Sequence, residues 1–259
     1  MEPRRIQDGT GGPVALPPLE DWEAAGARLR HFTRWGGVSR PPFEGLNLGA
    51  GVGDDPAAVA ENRRRVAAAV GARRLVSARQ VHGVELAVVG DDTAAEVDGV
   101  DGLLTDAAGV ALMIRHADCQ ALVLFDPVRR AVANVHCGWR GSAAGLPGRA
   151  VAAMNAAFGS RPGDLLAAVG PALGPCCAEF RDWERLLPPG LHRFRVGARH
   201  VDFRAATRWQ LEAAGVRPER ITVCETCTAC SRDFFSYRRE GRTGRAATVV
   251  MLAGAVHGR

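Results

Sequence analysis

Lysine is absent from the chain: all 33 residues counted as lysine or arginine are arginine. Alanine and glycine are abundant beside it, so the pattern reads as a genome-wide composition bias rather than selection for nucleic acid. The net charge is +5, yet no basic run is interleaved with aromatics. Arg63-Arg64-Arg65 and Arg238-Arg239 are short, and no nucleic-acid partner is expected. Also missing is any stretch approaching the roughly 18 uninterrupted apolar residues of a membrane span. Met1 to Glu20 lacks the apolar run of a secretory leader. The seven cysteines are an odd number in a chain too long to need disulfide staples. A reduced, cytoplasmic setting follows, with thiols free or on metal.

What is present suits a globular domain: 47% hydrophobic and 24% charged residues over 259 positions, enough for one substantial core. Residues 1–27, broken by Gly9-Thr10-Gly11-Gly12-Pro13 and Pro17-Pro18, read as a flexible lead-in. Residues 28–259, free of linkers and repeats, read as a single catalytic domain. Asp55 as cap, Pro56 at the first helical position and Gly71 as stop predict a helix carrying Val59, Val66 and Val70 on one face. Short β-branched runs at 75–76, 84–89, 110–114, 121–125, 131–135, 165–169, 221–223 and 247–252 predict strands. Helices are predicted over 143–158 and 205–214. The class is therefore α/β or α+β, with mixed sheets flanked by helices.

Three segments gather reactive side chains at predicted strand ends: Gln80-Val81-His82-Gly83, His116-Ala117-Asp118-Cys119, and His136-Cys137-Gly138-Trp139-Arg140-Gly141. A hairpin turning at Asp126-Pro127 brings Cys119, before its first strand, beside His136, after its second. A thiolate beside an imidazole is either a zinc half-site or a nucleophile–base pair. His82 and His116 both compete as a third ligand. Three protein ligands would leave zinc an open position, the mark of a catalytic site. Copper is a plausible occupant in vitro. However, seven histidines, with His31, His192 and His257 outside any cluster, are too few for a mononuclear copper site plus a trinuclear one.

Further residues carry paired readings. Arg34, ahead of Gly36-Gly37, either grips phosphate with two parallel hydrogen bonds or pins its own loop. Arg140, at a helix start, either contacts phosphate or pairs with an acid. Asn47 binds a ribose or purine edge or shapes a turn, and Gln80 joins these as a substrate contact. Asp118 is a general acid, orients a ligand, or caps its turn. Cys224, Cys227 and Cys230 are spaced like half a metal knuckle that Cys176 or Cys177 could complete, but buried structural thiols are the favoured reading.

These segments, together with Thr33-Arg34-Trp35-Gly36-Gly37-Val38-Ser39, Leu46-Asn47-Leu48-Gly49, Val52-Gly53-Asp54-Asp55-Pro56, Gly170-Pro171 and Phe234-Phe235-Ser236-Tyr237-Arg238-Arg239, resemble the multicopper polyphenol oxidoreductase (laccase-like) family. That family is also known for purine nucleoside phosphorylase and adenosine deaminase activity and for a peptidoglycan editing factor. The resemblance runs in order from about Phe32 to Leu252. It implies His82, Cys119 and His136 as zinc ligands. It also implies phosphorolysis of adenosine, inosine and methylthioadenosine, deamination of adenosine, and a fold distantly similar to toxin cysteine hydrolases. Nucleoside and phosphate are the expected partners, for a monomer or small homo-oligomer. Two departures stand out: Cys137 replaces the usual small residue after the third ligand, and the usual proline after Cys119 is missing at Gln120 and Ala121. Cys137 should point away from the ligands, as adjacent strand residues do.

Overall fold

Asp55 and Pro56 start the first long helix as their chemistry dictates. The Asp55 side chain accepts the Ala57 N–H, Pro56 needs no partner for its missing N–H, and Gly71 closes the helix in a left-handed conformation. The protein is described here from a computed structural model covering residues 12–254. The first eleven residues of the expected lead-in, and His257, lie outside the described residues.

The strands are β1 (Ala27–His31), β2 (Arg74–Arg79), β3 (Leu86–Val88), β4 (Glu96–Asp98), β5 (Gly102–Thr105), β6 (Val110–His116), β7 (Gln120–Asp126), β8 (Ala131–Cys137), β9 (Leu166–Val169), β10 (Arg195–Val196), β11 (His200–Val201), β12 (Ile221–Val223) and β13 (Ala246–Leu252). The helices are α1 (Glu20–Ala24), α2 (Pro56–Val70), α3 (Trp139–Ala143), α4 (Leu146–Phe158), α5 (Trp183–Leu186), α6 (Phe203–Ala213) and α7 (Tyr237–Glu240). One sheet is ordered β1-β13-β6-β2-β4 and the other β12-β9-β7-β8-β5-β3, with β10 and β11 a separate ribbon. Both large sheets mix parallel and antiparallel pairs.

The sheets pack face to face, and the period-two alternation of each strand shows how. Val110, Leu112 and Ile114 of β6 meet Ala121, Val123 and Phe125 of β7 in the central core. The intervening Ala111 and Met113 turn outward to Val66 and Val70 of α2. On the far side, Leu122 and Leu124 meet Ala150, Val151 and Met154 of α4 and Leu211 of α6. The layers therefore run helix, sheet, sheet, helix. The central strands read as continuous apolar runs because both their faces are covered. Asn134, fully buried, donates its amide to the carbonyls of Leu112 and Thr248, tying one sheet to the other.

The flexible lead-in is corrected from residue 12 onward. Val14, Ala15 and Leu16 are buried, Ala15 bridges Phe32, and Trp22 of α1 packs against Phe125 at 5.6 Å between ring centroids. Burying an indole outweighs the prolines that suggested disorder. The helix expected over 143–158 is two helices, broken at Gly145, whose φ of 73° is left-handed.

Candidate metal centre and its cavity

β7 and β8 form the expected hairpin, with Ala121 opposite His136 and Gln120 opposite Cys137. Cys119 thus sits at the hairpin mouth beside His136. His82 arrives from the other sheet, on the turn that follows β2. The ligand atoms of His82, Cys119 and His136 lie within 4.8 Å of one another. The His82 and His136 rings meet edge to face at 4.8 Å. Gly138 leaves room for them, since a Cβ there would come 3.2 Å from Cys119 Sγ and 3.4 Å from His82 Cδ2.

Asp101, at the head of β5, organises the trio. Its Oδ1 accepts His136 Nδ1 at 2.9 Å and the His82 N–H at 2.9 Å. Its Oδ2 accepts the N–H groups of Val81 and Gly83 at 3.2 and 2.6 Å. The carboxylate has no solvent exposure. Burial pushes its pKa up, but the hydrogen bonds from His136, Gly83 and Val81 outweigh this and leave it lowered. With Nδ1 bound to Asp101, the remaining ring nitrogen of His136 is free to ligate. His82 and Asp118 have positive φ, 59° and 95°, strained values for non-glycine residues that cluster at functional sites.

The trio is electrostatically linked. Burial raises the Cys119 thiol, yet the charge and hydrogen bonds of His136 and His82 bring it down to about 6. Burial lowers His136, yet the Cys119 thiolate and Asp101 carry it up to about 9. Two imidazoles and a ready thiolate form a donor set that suits zinc.

His116 lies apart from the trio. It is buried and linked through Nε2 to Thr248 Oγ1, which also meets His31 Nδ1. Cys137 points into the opposite core, its Sγ 3.3 Å from Ser142 Oγ, and burial pushes its thiol up to about 12. Neither His116 nor Cys137 belongs to the trio.

Several substrate contacts expected from sequence take structural roles. Asn47 is fully buried: its Oδ1 accepts the N–H groups of Gly49 and Arg245, and its Nδ2 donates to Asp54 and Gly49. Gln80 exchanges both amide groups with the backbone of Arg115, extending the pairing of β2 with β6. Arg34 pairs with Glu240 at 2.8 Å and stacks 4.5 Å over Phe235, pinning its own segment. Asp118 accepts Thr228 Oγ1 at 2.7 Å and the Arg238 N–H at 2.6 Å, so it positions the turn before Cys119. Arg140 is exposed and stacks 4.4 Å over Trp139.

A cavity of about 110 Å³ adjoins Cys119, lined by Trp139, Phe180, Phe203, Glu179 and Arg238 among others. Trp139 and Phe180 lie 5.1 Å apart, and Phe180 meets Phe203 edge to face at 5.6 Å. Gln120 donates to the Phe203 carbonyl and steadies this wall. Sequence reasoning missed Asp101, Phe180 and Phe203. Aromatics spread over distant segments carry no local motif.

A second group converges as well: Cys176, Cys177, Cys227 and Cys230 place their sulfurs within 4.8 Å of one another. Cys224 is outside it. The expectation of buried structural thiols is corrected, since Cys176 and Cys230 are exposed.

The family model for multi-copper polyphenol oxidoreductase laccase matches residues 28–253. The chain belongs to this family. Among its relatives, purine nucleoside phosphorylase YlmD of Geobacillus stearothermophilus is 40% identical over 242 residues, covering 85% of this chain and 88% of that one. A purine nucleoside phosphorylase of Deinococcus radiodurans is 40% identical over 230 residues, covering 85% and 87%. The crystal structure of YlmD matches with TM-score 0.85 at 36% identity, covering 98% of this chain and 100% of that one. That of the Bacillus licheniformis hypothetical protein YfiH matches with TM-score 0.85 at 30% identity, covering 95% and 98%. The two facing mixed sheets are therefore the architecture this laccase family shares. Among the described residues no helix is long and apolar enough to cross a membrane.

Proposed function

We propose that the protein is a zinc-dependent purine nucleoside phosphorylase that also deaminates adenosine. The convergence of His82, Cys119 and His136 beside an aromatic-walled cavity carries this reading, and the phosphorylase names of its relatives support it. Zinc held by these three residues would supply Lewis acidity at an open fourth position.

The chain's own residues do the rest. Trp139, Phe180 and Phe203 offer π faces for a purine to stack on. Arg238 lines the cavity, and Arg140 stands exposed on Trp139. In this reading these guanidinium groups would bind phosphate, in place of Arg34, which pairs with Glu240. Glu179, also in the lining, pairs with Arg181 at 2.8 Å through Oε1, and in this reading its other carboxylate oxygen would meet a purine N–H or a ribose hydroxyl. Asp101 holds the proton on His136 Nδ1 and fixes the ring.

Purified protein given adenosine and phosphate should release adenine and ribose 1-phosphate, and given adenosine alone should form inosine. Both activities should vanish on chelation and in His82→Ala. Undiminished turnover after complete zinc removal eliminates this reading.

One observation favours a second reading. Cys119, His136 and Asp101 also form the nucleophile, base and orienting acid of a cysteine hydrolase, with peptidoglycan precursors as substrates. It predicts full activity without metal and inactivation by thiol alkylation of Cys119.

A further inference from the structure

The second thiol group is built as a metal site, although no part of the proposed reaction uses it. We propose that Cys176, Cys177, Cys227 and Cys230 hold a second zinc ion in a closed tetrathiolate site that clamps the wall of the catalytic cavity.

Spacing supports one ion held by all four sulfurs. With Zn–S bonds of about 2.3 Å, the edge of a regular sulfur tetrahedron is about 3.8 Å. Cys176 and Cys177 lie 3.7 and 3.5 Å from Cys230, sulfur to sulfur. These separations are far beyond the roughly 2.05 Å of a disulfide and close to that edge. They are also too tight for a cluster of several irons, whose thiolates spread around a larger core. Four thiolates in tetrahedral array select zinc among common divalent ions and leave no open position.

The backbone is arranged to support a thiolate at Cys227. The Gly174 N–H donates to Cys227 Sγ at 3.2 Å. The N–H groups of Cys230 and Ala229 face the same sulfur. Tight turns at Gly174–Cys177 and Cys227–Cys230 present the four side chains to one point. A Cβ at Gly174 would come 2.5 Å from an Arg204 guanidinium nitrogen, 3.1 Å from Cys227 Cβ and 3.3 Å from Cys176 Sγ. The backbone there must stay bare for the site to close. Arg204, this near, offsets part of the double negative charge that four thiolates leave around one zinc ion.

The two turns reach the cavity directly. Ala178, Glu179 and Phe180, which follow Cys177, line it. Leu173 N–H donates to the Asp118 carbonyl at 2.8 Å, and Thr228 N–H to the Ala172 carbonyl at 3.0 Å. The Thr228 hydroxyl holds the Asp118 carboxylate, one residue from Cys119. An ion joining the turns therefore fixes the wall that the substrate contacts, while taking no part in the chemistry.

Metal analysis of the native protein separates this inference from the catalytic reading. Wild type should carry about two zinc ions per chain, while His82→Ala and Cys230→Ser should each lose a different one. In wild type, mass spectrometry after maleimide treatment should find Cys176, Cys177, Cys227 and Cys230 protected until a chelator is added. This arm remains decisive if Cys230→Ser does not fold. A single zinc that His82→Ala abolishes, equal labelling with and without chelator, or a disulfide between Cys177 and Cys230 in unreduced protein would each overturn the proposal. A cobalt-loaded His82→Ala protein should still show intense thiolate-to-cobalt absorption, and its absence counts equally against the site.

Discussion

Replacing Asp101 with asparagine tests how the metal centre is held together. The carboxylate meets four N–H donors, two at each oxygen. An asparagine keeps one oxygen and places an NH₂ where the other stood, so two donors must then face a donor. If the NH₂ replaces Oδ1, His136 can bond to it only through an unprotonated Nδ1. Its proton then moves to the nitrogen needed for zinc. If the NH₂ replaces Oδ2, Val81 and Gly83 lose their acceptor and the His82 turn loosens, held only by the His82 N–H on the remaining oxygen. A buried donor left unsatisfied costs about 1–3 kcal/mol; the backbone donors here are part-buried, so either rotamer loses about 1–3 kcal/mol from the site or its frame. Outer partners of this kind typically govern about 10- to 100-fold in metal affinity or activity. Competition with a chromophoric chelator should show Asp101→Asn binding zinc at least about tenfold more weakly, with a lower melting temperature even when metal-free. A variant matching wild type in zinc affinity and activity would refute the positioning role.

Asn47→Ala should lower stability by about 2–4 kcal/mol, from several buried hydrogen bonds at about 1 kcal/mol each and the groups they leave unpaired, and urea titration will show it. Activity per folded molecule should be unchanged, whereas a selective rise in KM would restore Asn47 to the substrate site. Phe180→Ala should raise KM for adenosine by about tenfold, as loss of one stacking partner at about 1–3 kcal/mol allows, and an unchanged KM would move the base elsewhere. Burial lowers His31 to about 4, and burial with the neighbouring charges of His31 and His136 lowers His116 to about 3. Both then stay neutral when folded while the unfolded chain takes up protons below its ordinary pKa of about 6.5. The stability they lend is complete above that pH and is lost as pH falls toward 4. Each histidine should contribute a loss of about 2 kcal/mol by pH 5, and a flat urea midpoint between pH 7 and 5 contradicts this.

Local signals in the chain were enough for α2 and for the β7–β8 hairpin. Capping groups, a left-handed stop and a tight turn act on neighbours, so Cys119 beside His136 could be read directly. The choice of His82 over His116 could not, because His82 belongs to a turn on the opposite sheet, and only the resemblance supplied it. Asp101 was hidden for the same reason. Its meeting with His136 follows from the register of β5 on β8, where Gly102 faces Val135, a pairing no local pattern encodes. Arg34 and Asn47 looked functional because polar side chains between glycines suit both ligand binding and loop anchoring. Their partners Glu240 and Arg245 show the loop-anchoring part of each reading, which no local pattern encodes. The cysteine run could be read as half a site with Cys176 or Cys177 as completing partners, but the exposure of Cys230 could not, because it depends on how the chain packs around thiols 54 and 53 residues apart.

The central claim is that His82, Cys119 and His136 grip one divalent ion with a vacant face. Anomalous diffraction at the zinc edge from crystals of the native protein tests it most directly. A peak about 2.0–2.3 Å from one nitrogen of each histidine and from Cys119 Sγ, with solvent or substrate in the fourth position, is the predicted result at this site. No peak between these side chains in zinc-replete protein, or a fourth protein ligand closing the face, would contradict it.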